Sequence, residues 1–311
     1  MSLTSTESPS RIADWLGLIR FSHTIFALPF AALATAMAFS AALPSGTMPT
    51  FRWRDIVGIL FCMVFARSAA MAFNRLADQQ IDAGNPRTTG RHLPAGILDR
   101  KQVWGFTILC GIGFIASTAI FLPNRVPLFA SIPVLAFLCG YSLAKRFTSA
   151  AHLWLGVALS LSPICAWLAI RGSESITNPG DLIAPLVLAA VVTSWVTGFD
   201  IIYACQDADF DSKSGLHSIP ARFGIAGALR IAAMCHIVML VLLLTLVWAG
   251  RASGLGWPFG IVWVIVAGLV VRQHSLVRPE DLDRVNQAFF DTNAAISVTL
   301  LVAGVVDCFW I

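Results

Sequence analysis

Charge is what this sequence has least of. Asp, Glu, Lys and Arg make up 12 % of its 311 residues, against about 25 % in an ordinary soluble protein. Residues of the AVILMFWYC set supply 57 %, where about 45–50 % is usual with Gly also counted. Mean hydropathy is +0.76. A soluble fold of this length cannot hide that much apolar surface. The chain therefore reads as an integral membrane protein with little room for a separate soluble domain. Its 21 basic groups are spread over the whole length and leave no nucleic-acid footprint. The seven cysteines form no CxxC pair, and six (Cys62, Cys110, Cys139, Cys165, Cys235, Cys308) sit in apolar runs, so neither a disulfide nor a sulfur-bound metal is expected. No GxGxxG, Walker or HExxH pattern precedes a suitable element. No signal peptide is read either, because the first apolar run is long, carries Arg20 and His23, and lacks a cleavage site.

What is present is a series of long apolar runs. Runs of about 20 residues are read as membrane-spanning helices, and nine are expected, at 16–42, 55–75, 102–123, 126–144, 150–170, 182–203, 226–249, 255–272 and 287–310. Strands are not expected, since a barrel needs short alternating segments. The fold class is all-α and polytopic. Residues 1–14 read as a disordered cytoplasmic N-terminus, and 15–311 as a single membrane-embedded domain. Lys and Arg set the direction of insertion. Fourteen of them fall with the N-terminus and the loops after spans two, four, six and eight, and five fall on the other side (Arg52, Arg54, Arg125, Arg171, Arg251). The richer side is assigned to the cytoplasm of an inner membrane.

The acids are grouped. Asn74, Asp78 and Asp82 step by four residues at the end of span two, and Arg67, seven residues before Asn74, shares their face. Tyr203, Asp207 and Asp211 repeat the spacing at the end of span six, with Asp200 seven residues before Asp207. Both clusters fall on the basic side. Like charges at this spacing repel, and near a membrane they are costlier. A counter-ion removes the penalty, and oxygen donors with sites left for water and phosphate suit Mg²⁺. Arg67, Arg87, Arg91, Lys145, Arg146 and Lys213 lie near enough in sequence to suit an anion. Acid, metal and base together describe a diphosphate site. Either cluster alone also fits solvated loop residues; two at matching spacing on one side argue against that. Asp209 is off the shared face and reads as solvated. His92, His217 and His274 read as surface groups, and His236 as a packing residue within a span.

At these residues the sequence resembles a known family. Asn74-xxx-Asp78-xxx-Asp82 and Tyr203-xxx-Asp207-xxx-Asp211 are similar to the two aspartate-rich motifs of the UbiA-type intramembrane prenyltransferases. The flanks 66–74, 85–96, 141–148 and 215–224 are similar to its quinone-pathway branch, and Leu18-Ile-Arg20 followed by Pro29 fits the family's first helix. The resemblance implies nine helices around a central cavity, and Mg-dependent transfer of a polyprenyl group from its diphosphate to an aromatic acid. The acceptor it implies is 4-hydroxybenzoate, or 1,4-dihydroxy-6-naphthoate on a menaquinone route. It further implies that Asn74, Asp78 and Asp82 hold one Mg²⁺ and Asp207 and Asp211 a second. Arg67, Lys145, Arg146, Arg91, Lys213 and Tyr203 then bind substrate, Arg20 takes the acceptor carboxylate, and Asp200 orients a ligand or acts as base. Loops 76–101 and 203–225 are expected to cap the site. The polyprenyl diphosphate, the aromatic acceptor and the bilayer are the expected partners; nucleic acid is not, and no obligate protein partner is evident. An ion-coupled secondary transporter is the alternative from another class, since intramembrane acids also mark ion pathways.

Overall fold

The computed structural model describes residues 11–20, 24 and 26–310. Among them there is no strand beyond one isolated antiparallel bridge between Arg278 and Asp281. Twelve α-helices follow in order: α1 (Arg11–Leu18), α2 (Leu28–Ser40), α3 (Trp53–Gly84), α4 (Arg100–Thr118), α5 (Val126–Ala144), α6 (Ala151–Arg171), α7 (Ser173–Thr177), α8 (Ile183–Ala204), α9 (Ala208–Lys213), α10 (Ile219–Ala249), α11 (Trp257–Ser275) and α12 (Val285–Trp310). Their starts carry ordinary signals. Asp99 and Gln102 form a reciprocal capping box on α4, Ser218 caps α10, and Pro127, Pro220 and Pro258 occupy first turns.

Eight helices are long and apolar enough to cross a membrane; α2, with 13 residues, is a shorter apolar one. The expected first span, 16–42, is broken. Its polar start forms α1, and α2 begins only at Leu28 with Pro29 in its first turn, where proline lacks the N–H that would carry a helix through. Residues 11–14, expected to be disordered, open α1; residues 1–10 and His23 lie outside the described residues. The expected second span also ends later than hydropathy suggests. At about 1.5 Å per residue, the 32 residues of α3 reach about 48 Å, well beyond a hydrocarbon core of about 30 Å. Asn74, Asp78 and Asp82 therefore lie inside the last turns of α3 rather than in a following loop. Span seven starts earlier than its apolar run, at Ile219, and bends at Gly224, whose φ of 68° favours glycine.

The core is centred on α8, the most buried of the long helices, which packs against α6 and α10 and also meets α2 and α12. Two glycines permit this closeness. A Cβ on Gly156 of α6 would lie 2.6 Å from the Thr193 carbonyl oxygen, and one on Gly198 of α8 would lie 2.5 Å from the His236 ring. Small residues at such crossings are how apolar helices associate when lipid is the solvent. Phe26, Phe30, Trp195, Phe199 and Phe289 form an aromatic core beneath the site end. The outer faces stay apolar and exposed, at Ile108 and Ile112 of α4, Phe129 and Ile132 of α5, and Val241 and Leu244 of α10. That belt suits acyl chains.

Buried polar groups are mostly paired. At the end opposite the acidic clusters, Arg171 donates to the carbonyls of Ala38, Ala41 and Ala42 and forks onto Asp181, tying the last turn of α2 to α6. His236 hydrogen-bonds His274 at 2.7 Å and the Trp195 carbonyl at 3.3 Å, the packing role expected of it. His274, expected at the surface, belongs to the last turns of α11 and makes that bond, because α11 continues past its apolar run.

Candidate active site

The last turns of α3 and the end of α8 face each other across one cavity of about 230 Å³. Asn74, Asp78 and Asp82 line it from α3, and Asp200, Tyr203, Asp207 and Asp211 from α8 and α9. The second group does not sit on one straight helix. A 3-10 turn over Cys205–Asp207 separates α8 from α9, and the tighter winding keeps Asp207 and Asp211 turned inward. Arg20 and Lys145 from the expected set also line the cavity, as does Arg91.

Four of these carboxylates already have a cation. Asp78 accepts from Asn74 Nδ2 at 2.9 Å and from Arg146 Nη2 at 3.3 Å. Asp82 accepts from Arg91 Nη1 at 2.6 Å. Asp207 accepts from Asn85 Nδ2 at 2.9 Å and is forked by Arg87 through Nε, at 2.8 Å, and Nη2. Asp211 lies 3.9 Å from Lys145 Nζ. The like-charge cost expected to call for a metal is thus met within the protein by Arg and Lys, all but Arg91 brought in from segments far away in sequence. Arg87 is the clearest case. It follows α3, yet it holds Asp207 and donates to the Tyr203 hydroxyl at 2.9 Å, so it ties the segment after α3 to the acidic end of α8. Burial alone would lower its pKa, but the hydrogen bonds to Asp207 and Tyr203 outweigh that and raise it above the ordinary arginine value.

Three expected residues stand elsewhere. Lys213 is exposed at the end of α9 and does not line the cavity. Arg146 reaches Asp78 from behind, also donating to the carbonyls of Ser142 and Ala77. Arg67 lines a neighbouring apolar cavity of about 160 Å³ that shares Met71, Tyr141 and Leu155 with the acidic one. Its Nη2 donates to the Arg20 carbonyl at 3.3 Å, and its Nε is buried without a partner. Arg20 itself has a φ of 44°, a left-handed conformation rare outside glycine.

Profile comparison places residues 24–297 in a single known group. The chain belongs to the UbiA prenyltransferase family. Among curated relatives, the 4-hydroxybenzoate octaprenyltransferase of Nitrosomonas europaea is 30 % identical over 236 residues, covering 74 % of either chain. Among solved structures, the apo UbiA homolog of Aeropyrum pernix K1 superposes with a TM-score of 0.79 at 32 % identity, covering 91 % of this chain and 97 % of that one. A UbiA homolog of Archaeoglobus fulgidus bound to DMAPP and Mg²⁺ shares the fold, with a TM-score of 0.65 at 17 % identity over 96 % of this chain and 100 % of that one. As a member of this family, the chain is a multi-pass membrane prenyltransferase similar to the 4-hydroxybenzoate polyprenyltransferases.

The donor set of this UbiA prenyltransferase fits a divalent ion of hard character. Among the described residues no three His, Cys, Asp or Glu groups approach closely enough to hold a metal by themselves. Asp82 Oδ2 and Asp211 Oδ2, however, are buried carboxylate oxygens without a hydrogen-bond donor, on opposite walls of the cavity. A site offering one or two carboxylates and needing water or phosphate to complete it is the kind Mg²⁺ takes. Asn85, Thr88, Ser142 and Arg75 also line the cavity, polar and basic residues that no spacing signal in the sequence marks. His152, a single histidine at the head of an apolar run, carries no such signal either.

Proposed function

We propose that this prenyltransferase transfers a polyprenyl group from its diphosphate to a 4-hydroxybenzoate-type acceptor in quinone biosynthesis, at the cytoplasmic face of the inner membrane. The observation that carries this reading is the single cavity in which both acidic helix ends meet, bridged by Arg87 and Asp207. The names of the curated relatives support the acceptor class, and the excess of Lys and Arg on the site side supports the orientation. A transporter places such groups near the bilayer midplane, whereas here they gather at one end of the helices.

Asn74, Asp78, Asp82, Asp207 and Asp211 would hold Mg²⁺, whose chemistry is to neutralise charge growing on the departing diphosphate. Arg87, Arg91 and Lys145 turn from their carboxylates toward phosphate oxygens as the substrate enters, while Arg146 steadies Asp78 from behind. Below them the cavity is floored by Met71, Tyr141, Leu155, Tyr203 and Phe289, a dry bed for an allylic cation. The shared wall at Met71, Tyr141 and Leu155 leads into the apolar cavity, which suits the tail. Arg20 and Arg67 are the two cations suited to the acceptor carboxylate. Asp200 takes the ring proton.

Purified enzyme in detergent, given Mg²⁺, geranyl diphosphate and either 4-hydroxybenzoate or 1,4-dihydroxy-6-naphthoate, yields the C-prenylated hydroxybenzoate by mass spectrometry. Product from the naphthoate alone moves the chain to the menaquinone route. Uptake into sealed vesicles with no covalent product under any condition defeats the enzyme reading.

A further inference from the structure

Asp200 is the one cavity carboxylate whose partner is a histidine rather than Arg or Lys. Its Oδ2 lies 2.7 Å from His152 Nδ1. His152 is fully buried in the first turn of α6. Its other ring nitrogen, Nε2, accepts the backbone N–H of Ile219 at 3.3 Å. A backbone N–H only donates, so Nε2 carries the lone pair and the neutral ring holds its proton on Nδ1. That proton is donated to Asp200 Oδ2.

Two consequences follow from this chain of bonds. The ring's only lone pair is already engaged, so His152 cannot take a proton from Asp200 without breaking the Ile219 contact. Asp200 is also fixed at one oxygen, while its carboxylate lines the cavity and no hydrogen bond to Oδ1 is made among the described residues. Seven residues separate Asp200 from Asp207, about 10 Å along the helix. The carboxylate thus stands deeper than the diphosphate end, beside Leu155 and Tyr203. Ile219 is the first residue of α10, directly after the segment that packs on the cavity through Leu216 and bonds Lys145 through His217 N–H. His152 therefore joins the base to the start of α10.

We infer that His152 is a positioning residue for Asp200: it holds one carboxylate oxygen so that the other faces the acceptor ring, and it makes that alignment depend on the start of α10 being in place. The inference rests on the aromatic prenyl transfer proposed above. In that reaction the C–O bond of the allylic diphosphate breaks and its electron pair leaves with diphosphate. The ring carbon beside the hydroxyl uses a π pair to form the new C–C bond. The C–H pair at that carbon then restores the aromatic ring, and the proton passes to Asp200 Oδ1. His152 neither gains nor loses a proton.

The test compares wild type, His152→Ala and His152→Gln, using 4-hydroxybenzoate carrying either hydrogen or deuterium at the ring positions beside the hydroxyl. Glutamine offers a donor and an acceptor at nearly the spacing of the two imidazole nitrogens but cannot carry a proton. His152→Ala lowers kcat by about 10–100-fold, as loss of an outer partner does to the group it orients, with the KM for prenyl diphosphate unchanged. Its deuterium effect on kcat rises from near unity to a full primary effect, because proton removal has become limiting. His152→Gln keeps most of the rate and a near-unit isotope effect. Should His152→Ala lose its melting transition, His152→Leu, which fills the space and offers neither donor nor acceptor, takes its place with the same expectations. Unchanged kcat in the Ala variant, a slow variant without any isotope effect, or a Gln variant as slow as Ala overturns the inference. Failure of wild type to prenylate any aromatic acid instead overturns the function on which it rests.

Discussion

Replacing Arg87 by Ala removes a side chain that ties the segment after α3 to Asp207 and Tyr203 at the end of α8. The guanidinium makes three hydrogen bonds to Asp207 and Tyr203, with its plane also 5.1 Å from the Tyr203 ring. Breaking one partner out of a fully buried ion pair costs about 3–5 kcal/mol. Arg87 is 28 % exposed and Asp207 10 %, so water recovers part of that, and Asn85 still donates to Asp207 Oδ1. The expected cost is therefore about 2–3 kcal/mol, below the fully buried figure. At about 2 °C per kcal/mol for a chain of this size, the detergent-solubilised variant melts about 4–6 °C below wild type. Adding Mg²⁺ with geranyl diphosphate narrows the gap, because Asp207 regains an opposing charge. Arg87→Lys falls between, since a point charge replaces the fork. A melting temperature for Arg87→Ala equal to that of wild type without ligand, or a gap that widens on adding metal and diphosphate, refutes the bridging account.

Asp78→Asn and Asp207→Asn each abolish product formation while leaving a cooperative melt in detergent; full turnover in both defeats the assignment of these acids to the metal and diphosphate. Removing divalent metal with EDTA stops turnover and added Mg²⁺ restores it, as product analysis by mass shows. At the opposite end, Arg171→Leu takes the cation from Asp181 and the donors from the carbonyls of Ala38, Ala41 and Ala42, and it destabilises the fold by about 3–5 kcal/mol; intact thermal stability in that variant contradicts the role given to the Arg171 cluster.

Apolar run length located eight long helices to within a few residues at most ends, because those ends coincide with prolines, caps or changes in polarity. It misjudged α3 and α10, whose helices run on through polar residues that hydropathy counts as loop. It joined α1 to α2, since mean hydropathy does not register a missing N–H at Pro29. The four-residue spacing of Asn74, Asp78 and Asp82 was legible because helical geometry alone puts them on one face. Which cation answers which acid was not. Arg87 and Asp207 are 120 positions apart, and nothing local in either segment encodes the other. His152 was invisible for the same reason: its meaning comes from Asp200 and Ile219, which only the packing of α6, α8 and α10 brings to it.

Five carboxylates (Asp78, Asp82, Asp200, Asp207, Asp211) and five cations (Arg20, Arg75, Arg87, Arg91, Lys145) line the acidic cavity. Before any ligand arrives, its formal charges sum to zero. In a low-dielectric setting, a lone divalent ion or a bare diphosphate would each leave an imbalance that water is poorly placed to screen. The two together cancel most of it. For the prenyl transfer proposed above, such a balance favours the metal–diphosphate complex over either ion alone as the entering species.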